Sequence, residues 1–331
     1  MQSVTPDFIA HSQGAAEAAP TATVQQALFW ARSVLSGAGI PSPRLDAQVL
    51  LAEVLRWKRG RLFAWPELEL TQPQIEAYRA AVERRLHREP VPYIVGHRPF
   101  YGLEFCVDRR VLIPRPETEL LVERALETAL RLRPGRSELV LADVGTGSGS
   151  VAVSLAVNLP RATVFATEVS REALDVAAVN AKRHGVTDRV HLVHGDLIGA
   201  LPKNPLVIVA NLPYVATEQL ASLARDVLEY EPLMALDGGP DGLTYVRRLL
   251  EEAGDRLQTD GSILVEVGAD QGCKVVALAS LNYPAADIQI YQDYAGLDRV
   301  VAVHTSGRAP HGPVIAGLTP GSGVTLSGGR T

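Results

Sequence analysis

Cysteine is almost absent from this chain: Cys106 and Cys273 are the only two among its 331 residues. Two distant cysteines provide neither a disulfide framework nor the spacing of a metal site, and the lack of disulfides is typical of a reducing compartment. The first twenty residues have neither the basic start nor the apolar core of a secretion signal. We therefore expect a cytoplasmic protein that holds no metal.

Long apolar runs and positive charge are also scarce. No uninterrupted apolar stretch approaches the roughly 20 residues that a membrane helix needs. The net charge is −5 and aromatic residues make up only 5% of the chain, so a broad basic surface for long nucleic acid is missing. We expect a monomer that binds neither a membrane nor long nucleic acid directly.

Apolar periodicity changes along the chain and predicts two folded parts. The first part is helical, without a strand pattern. The next stretch is richer in β-branched and aromatic residues and has a Tyr-Gly break, which predicts an extended hairpin that links two domains. The predicted division is a disordered tail over residues 1–20, a helical domain over 21–90, a β-hairpin linker over 91–113, a larger domain over 114–305 and a disordered tail over 306–331.

Within the larger domain, apolar strands alternate with helices, which predicts an α/β fold with a parallel sheet covered on both faces. The last two strands are separated only by the loop from Asp293 to Asp298. That loop is too short for a parallel crossover, so we expect an antiparallel hairpin at one sheet edge. The predicted strands cover residues 138–144, 162–168, 190–194, 206–210, 262–267, 286–292 and 299–304, and the predicted helices cover 116–132, 149–157, 171–184, 241–257 and 270–281.

Glycines and acidic residues follow the first three of these strands. Gly145-Thr146-Gly147-Ser148-Gly149 follows the first strand, where glycines let a ligand approach the backbone closely. Glu168 ends the second strand, where its carboxylate can accept both ribose hydroxyls. Asp196 follows the third strand and can accept the adenine amino group, while Asp143 can orient the glycine loop or a ligand amine. These positions predict a site for an adenosine-type ligand.

The spelling of the glycine loop favours S-adenosylmethionine over NAD as that ligand. A dinucleotide fingerprint has a third glycine where this chain has Ser150. A diphosphate would also gain from direct docking at a helix N-terminus, whereas S-adenosylmethionine has no phosphate. A NAD-dependent dehydrogenase is therefore the weaker interpretation.

The fourth strand ends in Asn211-Leu212-Pro213-Tyr214, at the same sheet edge as the glycines. An amide or exocyclic amine nitrogen is a poor nucleophile, so two fixed acceptors must hold its N–H groups and direct its lone pair at the sulfonium methyl group. The Asn211 side-chain carbonyl and a backbone carbonyl held by Pro213 can serve, and Tyr214 can pack on the planar group. The similar letters Asn158-Leu159-Pro160 lie at a helix end, where a helix stop explains them.

With these residues the sequence resembles the family of peptide-chain release factor glutamine N5-methyltransferases, over roughly residues 24–304. The most specific strings are Pro92-Tyr93-Ile94, Phe100-Tyr101-Gly102 and the stretch from Leu112 to Glu119, and Asp237 to Gly242 is also family-like. The resemblance implies a helical N-terminal domain that docks the substrate, a hairpin linker and a Rossmann-like, seven-stranded class I methyltransferase domain. It also implies the acceptor, the glutamine of the Gly-Gly-Gln motif in bacterial-type class I release factors.

The resemblance also implies roles for individual residues. Residues 145–149 match the cofactor loop, Glu168 matches the ribose ligand, and Leu197 takes a position near the adenine. Residues 211–214 match the substrate tetrapeptide, in which Asn211 also touches the cofactor. The segment that walls the site includes Phe100, Arg115, Pro116 and Glu119. Alternatively, Pro114 and Pro116 fix the start of the helix and Phe100 belongs to the core.

One residue departs from the family pattern, because Leu212 stands where Asn-Pro-Pro-Tyr has a proline. The backbone carbonyl survives this change, and Pro213 still restricts Leu212 to extended conformations. Asn-Leu-Pro-Tyr is also the spelling in ribosomal-RNA adenine dimethyltransferases, so an N6-adenine methyltransferase acting on RNA or DNA is the first alternative. The few aromatic residues and the acidic catalytic half count against it. A non-catalytic S-adenosylmethionine-binding module is the second alternative.

Overall fold

The computed structural model describes residues 23–133 and 139–305. The tails predicted over 1–20 and 306–331 lie outside the described residues. Within the described ranges, no helix is both long and apolar enough to cross a membrane. The same ranges contain no cluster of three or more His, Cys, Asp or Glu residues arranged to hold a metal ion.

Helices alone form the first part of the described chain, which is the helical region that the sequence predicted. Thr23 and Gln26 form a capping box at the start of the first helix, and Thr71 begins another helix in the same way. The apolar faces share one buried cluster, in which the Tyr78 hydroxyl donates a hydrogen bond to the Ala47 carbonyl at 2.9 Å. The helices are α1 (Val24–Gly37), α2 (Pro43–Val54), α3 (Arg61–Ala64), α4 (Gln72–Leu86) and α5 (Val91–Val95).

The segment predicted as an extended hairpin contains a hairpin, but it begins with a helix. Strands β1 (His97–Phe100) and β2 (Leu103–Cys106) pair antiparallel around the Tyr-Gly break. The extended prediction is wrong for the residues of α5, because Pro92 lies at the helix start and Gly96, with a φ of 81°, ends it in the left-handed conformation. These two signals outweigh the β-branched composition. The predicted domain boundaries stay a prediction.

A seven-stranded sheet forms the rest of the fold. Its strands are β3 (Leu139–Val144), β4 (Ala162–Glu168), β5 (Val190–His194), β6 (Val207–Ala210), β7 (Ser262–Glu266), β8 (Asp287–Gln292) and β9 (Asp298–His304). Their order in the sheet is β5-β4-β3-β6-β7-β9-β8. The first five of these strands are parallel, and β9 is antiparallel to both neighbours. The predicted α/β fold and its antiparallel edge hairpin are therefore confirmed.

Helices cover both faces of this sheet. Leu121 and Leu155 belong to the buried cluster on one face, and Leu249 and Val275 belong to the cluster on the other. The helices are α6 (Thr118–Leu132), α7 (Ser150–Asn158), α8 (Arg171–Arg183), α9 (Arg225–Tyr230), α10 (Thr244–Ala253) and α11 (Gly272–Asn282), with 3₁₀ turns at Thr217–Ser222 and Leu233–Ala235. The 3₁₀ turns and α9 were not predicted, because their residues have no clear apolar period.

The strand register brings the predicted site residues to one edge. Val144 at the end of β3 pairs with Thr167 on β4 and with Ala210 on β6. The loops that follow these parallel strands therefore meet at the carboxyl edge of the sheet, where ligands bind in open α/β folds. The segment after β6 folds back over this edge, since the Gly238 N–H donates a hydrogen bond to the Val215 carbonyl at 2.8 Å.

Candidate methyl-transfer site

A cavity lies along the carboxyl edge of the sheet, between the strand ends and the segment that enters α6. It brings together most of the residues that the sequence predicted for cofactor and acceptor. Those that line it are Arg115, Asp143, Gly145, Thr146, Gly147, Ser148, Glu168, Asp196, Leu197, Asn211, Leu212 and Pro213. The predicted residues Phe100, Pro116, Glu119, Gly149 and Tyr214 are not among its lining.

The glycine loop is held from below by Asp143. Its Oδ2 accepts the Thr146 hydroxyl at 2.6 Å and the Ala152 N–H at 3.0 Å, which joins the loop to the first turn of α7. The loop glycines all have a positive φ, at 73° for Gly145, 54° for Gly147 and 78° for Gly149. Asp143 was expected to orient the glycine loop or to bind a ligand amine, and these hydrogen bonds correspond to the first of the two roles.

The same carboxyl gives stability a pH dependence. Burial raises the pKa of Asp143 from 3.8 to about 6, against the hydrogen bonds from Thr146 and Ala152 that lower it. The folded protein therefore binds an extra proton between those two values, so the free energy of unfolding falls as pH rises through this interval. Above about pH 6, the buried charge destabilises the fold by on the order of 3 kcal/mol.

We expect the Asp143→Asn variant to be more stable than the wild type at about pH 8 and equally stable near about pH 4. Its amide oxygen can still accept the hydrogen bonds from Thr146 and Ala152, and it has no charge to bury. Denaturant unfolding of the ligand-free protein at both pH values measures the difference. Asp143→Ala, which removes both acceptors, should be less stable than the wild type at each pH. A stabilisation by Asp143→Asn that is equal at the two pH values would contradict this account.

Glu168 also fixes the loop. Its two carboxylate oxygens accept the Gly147 N–H and the Ser170 N–H, each at 3.0 Å. A carboxylate oxygen has a second lone pair, so these bonds leave acceptor capacity toward the cavity. The predicted ribose role is therefore compatible with the geometry. The bond from Gly147 to Glu168 also links the ends of β3 and β4.

The end of β5 supplies Asp196 and Leu197. The Asp196 carboxylate pairs with Arg248 of α10 at 2.7 Å, at a half-exposed position on the rim of the cavity. Leu197 is buried, with a φ of 45°. The predicted adenine role of Asp196 thus has a competing partner in Arg248, and only the packing of α10 on the sheet reveals this pair.

The tetrapeptide presents one amide to the cavity. The Asn211 Nδ2 donates a hydrogen bond to the Thr118 hydroxyl oxygen at 3.0 Å. Since the amide nitrogen is held by Thr118, Oδ1 is the atom of this side chain left to accept from a ligand. The next residue, Leu212, is buried, and its Cδ2 would lie 3.1 Å from a Cβ at Gly145. Leu212, which stands where the family has a proline, therefore packs under the glycine loop.

Tyr214 lies behind the cavity lining. Burial raises the pKa of its hydroxyl to about 12, and the nearby Glu266 acts in the same direction. The Tyr214 carbonyl accepts the side-chain N–H of Gln271 at 2.8 Å, and the oxygen of that side chain accepts the Gly268 N–H at 2.9 Å. Gln271 thus holds the backbone of the tetrapeptide. No sequence motif indicates this role.

The predicted wall is divided between core and cavity. Phe100 is only 1% exposed and packs edge-on against Phe105, which agrees with its alternative reading as core. The Glu119 carboxylate accepts the Tyr101 N–H at 2.9 Å, and Pro116 is exposed. Only Arg115 of this set lines the cavity.

Arg115 is fixed by a partner that was not predicted. Its guanidinium pairs with the buried Glu231 at 2.6 Å, and Glu231 also accepts the Ile113 N–H at 3.1 Å. Asn180 is a second missed residue: its Nδ2 donates to the Ser148 carbonyl at 2.8 Å and to the Cys106 carbonyl at 3.0 Å. The sequence does contain a signal that could have identified Asn180, because it is a polar residue on the apolar face of α8.

Two family models match the chain. The one described as the PrmC N-terminal domain covers residues 26–96, and the one described as the methyltransferase small domain covers residues 117–231. The second match contains the glycine loop, Glu168 and the tetrapeptide.

Curated relatives match over most of the chain. A protein of Moorella thermoacetica named release factor glutamine methyltransferase is 44% identical over 278 residues, which cover 84% of this chain and 96% of that protein. A protein of Chlorobaculum tepidum with the same name is 42% identical over 78% of this chain and 90% of its own length. Among solved structures, the hMettl16 catalytic domain in complex with MAT2A 3'UTR hairpin 6 has a TM-score of 0.51 at 14% identity, over 74% of this chain and 86% of that chain. That likeness concerns the fold alone.

Proposed function

This chain belongs to the release factor glutamine methyltransferase family, and from that membership we propose that it methylates the side-chain amide nitrogen of a glutamine in a peptide-chain release factor. The methyl donor in this proposal is S-adenosylmethionine, and the acceptor glutamine is that of the Gly-Gly-Gln motif. A monomeric, cytoplasmic protein remains our expectation.

The observation that carries the proposal is the orientation of Asn211. Its amide nitrogen is held by Thr118, so its oxygen is left to accept one N–H of a substrate amide. A carboxamide acceptor needs such fixed positioning because its lone pair is delocalised, and the proton can leave after the nitrogen becomes tetrahedral. The reaction then depends on orientation, without a strong base at the nitrogen before transfer.

The lining of the cavity fits S-adenosylmethionine. The donor is positively charged at sulfur and at its amino group, and carboxylates of Asp143 and Glu168 line the cavity near the glycine loop. A Cβ at Gly147 would meet no atom within 4 Å, so the loop has room for a ligand against its backbone. When bound, the cofactor supplies an electrophilic methyl group. The protein supplies the loop that holds it, Glu168 for the ribose and Asn211 for the acceptor.

A methyl-transfer assay with labelled S-adenosylmethionine and an unmodified release factor tests the proposal. We expect one methyl group per release factor, located by peptide mass spectrometry on the Gly-Gly-Gln glutamine. A release factor in which that glutamine is replaced is the matched control and should take up no label.

Other outcomes would identify the alternatives. Label on ribosomal RNA or DNA, with none on the release factor, would overturn the proposal in favour of an N6-adenine methyltransferase. Cofactor binding without transfer to any of these acceptors would indicate a non-catalytic binding module.

A further inference from the structure

A buried glutamate lies beside the tetrapeptide without a role in the site described so far. Glu266 is the last residue of β7, next to the end of β6 from which Asn211 follows. It is 1% exposed, and in the ranges that the structure describes neither carboxylate oxygen has a hydrogen-bond partner of ordinary geometry. Burying a carboxyl group in this way is unfavourable, and such groups concentrate at functional sites.

Thr118 connects this carboxyl group with the cavity. The Thr118 hydroxyl accepts from Asn211 Nδ2 at 3.0 Å, and both residues line the cavity. Burial raises the pKa of Glu266 to about 7, while the Thr118 hydroxyl beside it acts in the opposite direction. Glu266 ends β7, Asn211 follows the neighbouring β6, and Thr118 contacts Asn211, so the buried carboxyl group lies close to the side chains that hold the proposed acceptor position.

We propose that Glu266 and Thr118 are positioning residues that determine which way the Asn211 amide faces, an inference that rests on the proposed function. An ionised Glu266 can only accept, so in the proposed arrangement the Thr118 hydroxyl turns its hydrogen toward this carboxylate. The Thr118 oxygen then accepts from Asn211, whose amide nitrogen must face it. This leaves Asn211 Oδ1 toward the cavity, where the N–H groups of the substrate amide need an acceptor.

Protonation of Glu266 reverses the direction of these hydrogen bonds. A neutral Glu266 donates to Thr118, whose own hydrogen is then free for the Asn211 oxygen, which favours the flipped amide. A flipped amide presents N–H groups to the N–H groups of the substrate. Transfer should therefore require the ionised form and rise with pH through the Glu266 pKa.

Charged and titratable groups also face Glu266 from the elements around it. Arg115 and Glu117 lie just before α6, Arg299 is on β9, and Tyr214 follows β6. The two arginines stay charged near neutral pH. Tyr214 stays neutral there because burial raises its pKa to about 12.

The first test compares kcat from about pH 5.5 to about pH 8.5 in the wild type and three variants. We expect the wild type to rise with a midpoint near 7, and Glu266→Gln to be about 10-fold slower at high pH without that rise. Thr118→Val, which loses the hydroxyl, should lower kcat about 10²-fold, whereas Thr118→Ser should restore it. The KM for S-adenosylmethionine should stay the same throughout.

The second test observes the amide directly, and its decisive measurement is the titration of the wild type. The chain has five asparagines, so protein labelled with ¹⁵N-asparagine gives few side-chain signals, and Asn211→Ala identifies the one of interest. We expect that signal to shift with pH with a midpoint near 7 in the wild type and to lose this shift in Glu266→Gln.

The outcomes separate the inference from the proposed function. A Glu266→Gln enzyme with the wild-type kcat and pH profile, or an Asn211 signal that does not respond to pH in the wild type, would overturn the inference and leave the proposed function standing. A wild type that transfers no methyl group to a release factor would overturn the proposed function, and the titration of the Asn211 signal would then decide the inference alone.

Discussion

Replacing Asn211 by alanine is expected to lower methyl transfer by at least about 10²–10³-fold, the loss seen when one fixed polar group is removed from an active site. The substrate amide would lose the acceptor that aims its nitrogen. The Thr118 hydroxyl would also lose the donor that lies 3.0 Å away. The affinity for S-adenosylmethionine should remain nearly unchanged, because the glycine loop and Glu168 do not depend on this side chain.

A matched control exists within the same chain. Asn158 begins the similar string Asn-Leu-Pro, but it lies at the end of α7, where its Nδ2 donates to the Ser154 carbonyl at 2.9 Å. Asn158→Ala should leave transfer at the wild-type level. Single-turnover transfer and calorimetric cofactor binding on both variants make the comparison. Comparable losses of transfer and cofactor affinity in Asn211→Ala would show that its role is structural.

The fold was predictable because its signals are local. Apolar β-branched runs between glycines and helical segments define β3 to β7, and a short loop defines the edge hairpin. The glycine loop and the tetrapeptide were also predictable, because each follows a parallel strand and such ends share one edge. The expectation fails for the five residues of α5, because the proline and the glycine that delimit this helix have more influence than its β-branched composition.

The residues that hold the site in place were not predictable, because they depend on which elements become neighbours. Glu266 reads as part of an apolar strand, and only the adjacency of β6 and β7 places it beside Asn211. Thr118 reads as a helix start. The sequence left Phe100 open between wall and core, and its contact with Phe105 appears only in the folded chain. Long-range contacts of this kind leave no periodic signal in a sequence.

The segment from Asp237 to Gly242 shows how such a contact constrains sequence. A Cβ at Gly238 would lie 2.6 Å from the Pro213 carbonyl oxygen, and a Cβ at Gly242 would overlap the Tyr214 carbonyl oxygen and lie 2.6 Å from Gln271 Nε2. Gly242 also has a φ of 73°, which an L side chain adopts at a cost of about 1–2 kcal/mol. The backbone of this segment therefore packs directly against the backbone of the tetrapeptide.

Gly238→Ala and Gly242→Ala are each expected to lower transfer about 10²-fold, because the added methyl group must displace Pro213 or Tyr214 and a shift of about 1 Å is enough for such a loss. The control is Gly37→Ala at the end of α1, where a Cβ would meet no atom within 4 Å. That change should leave transfer intact and stabilise the fold by about 0.4–1 kcal/mol. Transfer rates, cofactor affinity and melting temperature are measured for all three variants. Wild-type transfer in both Gly238→Ala and Gly242→Ala would mean that the acceptor site tolerates movement of the tetrapeptide, and the positioning account would then be wrong.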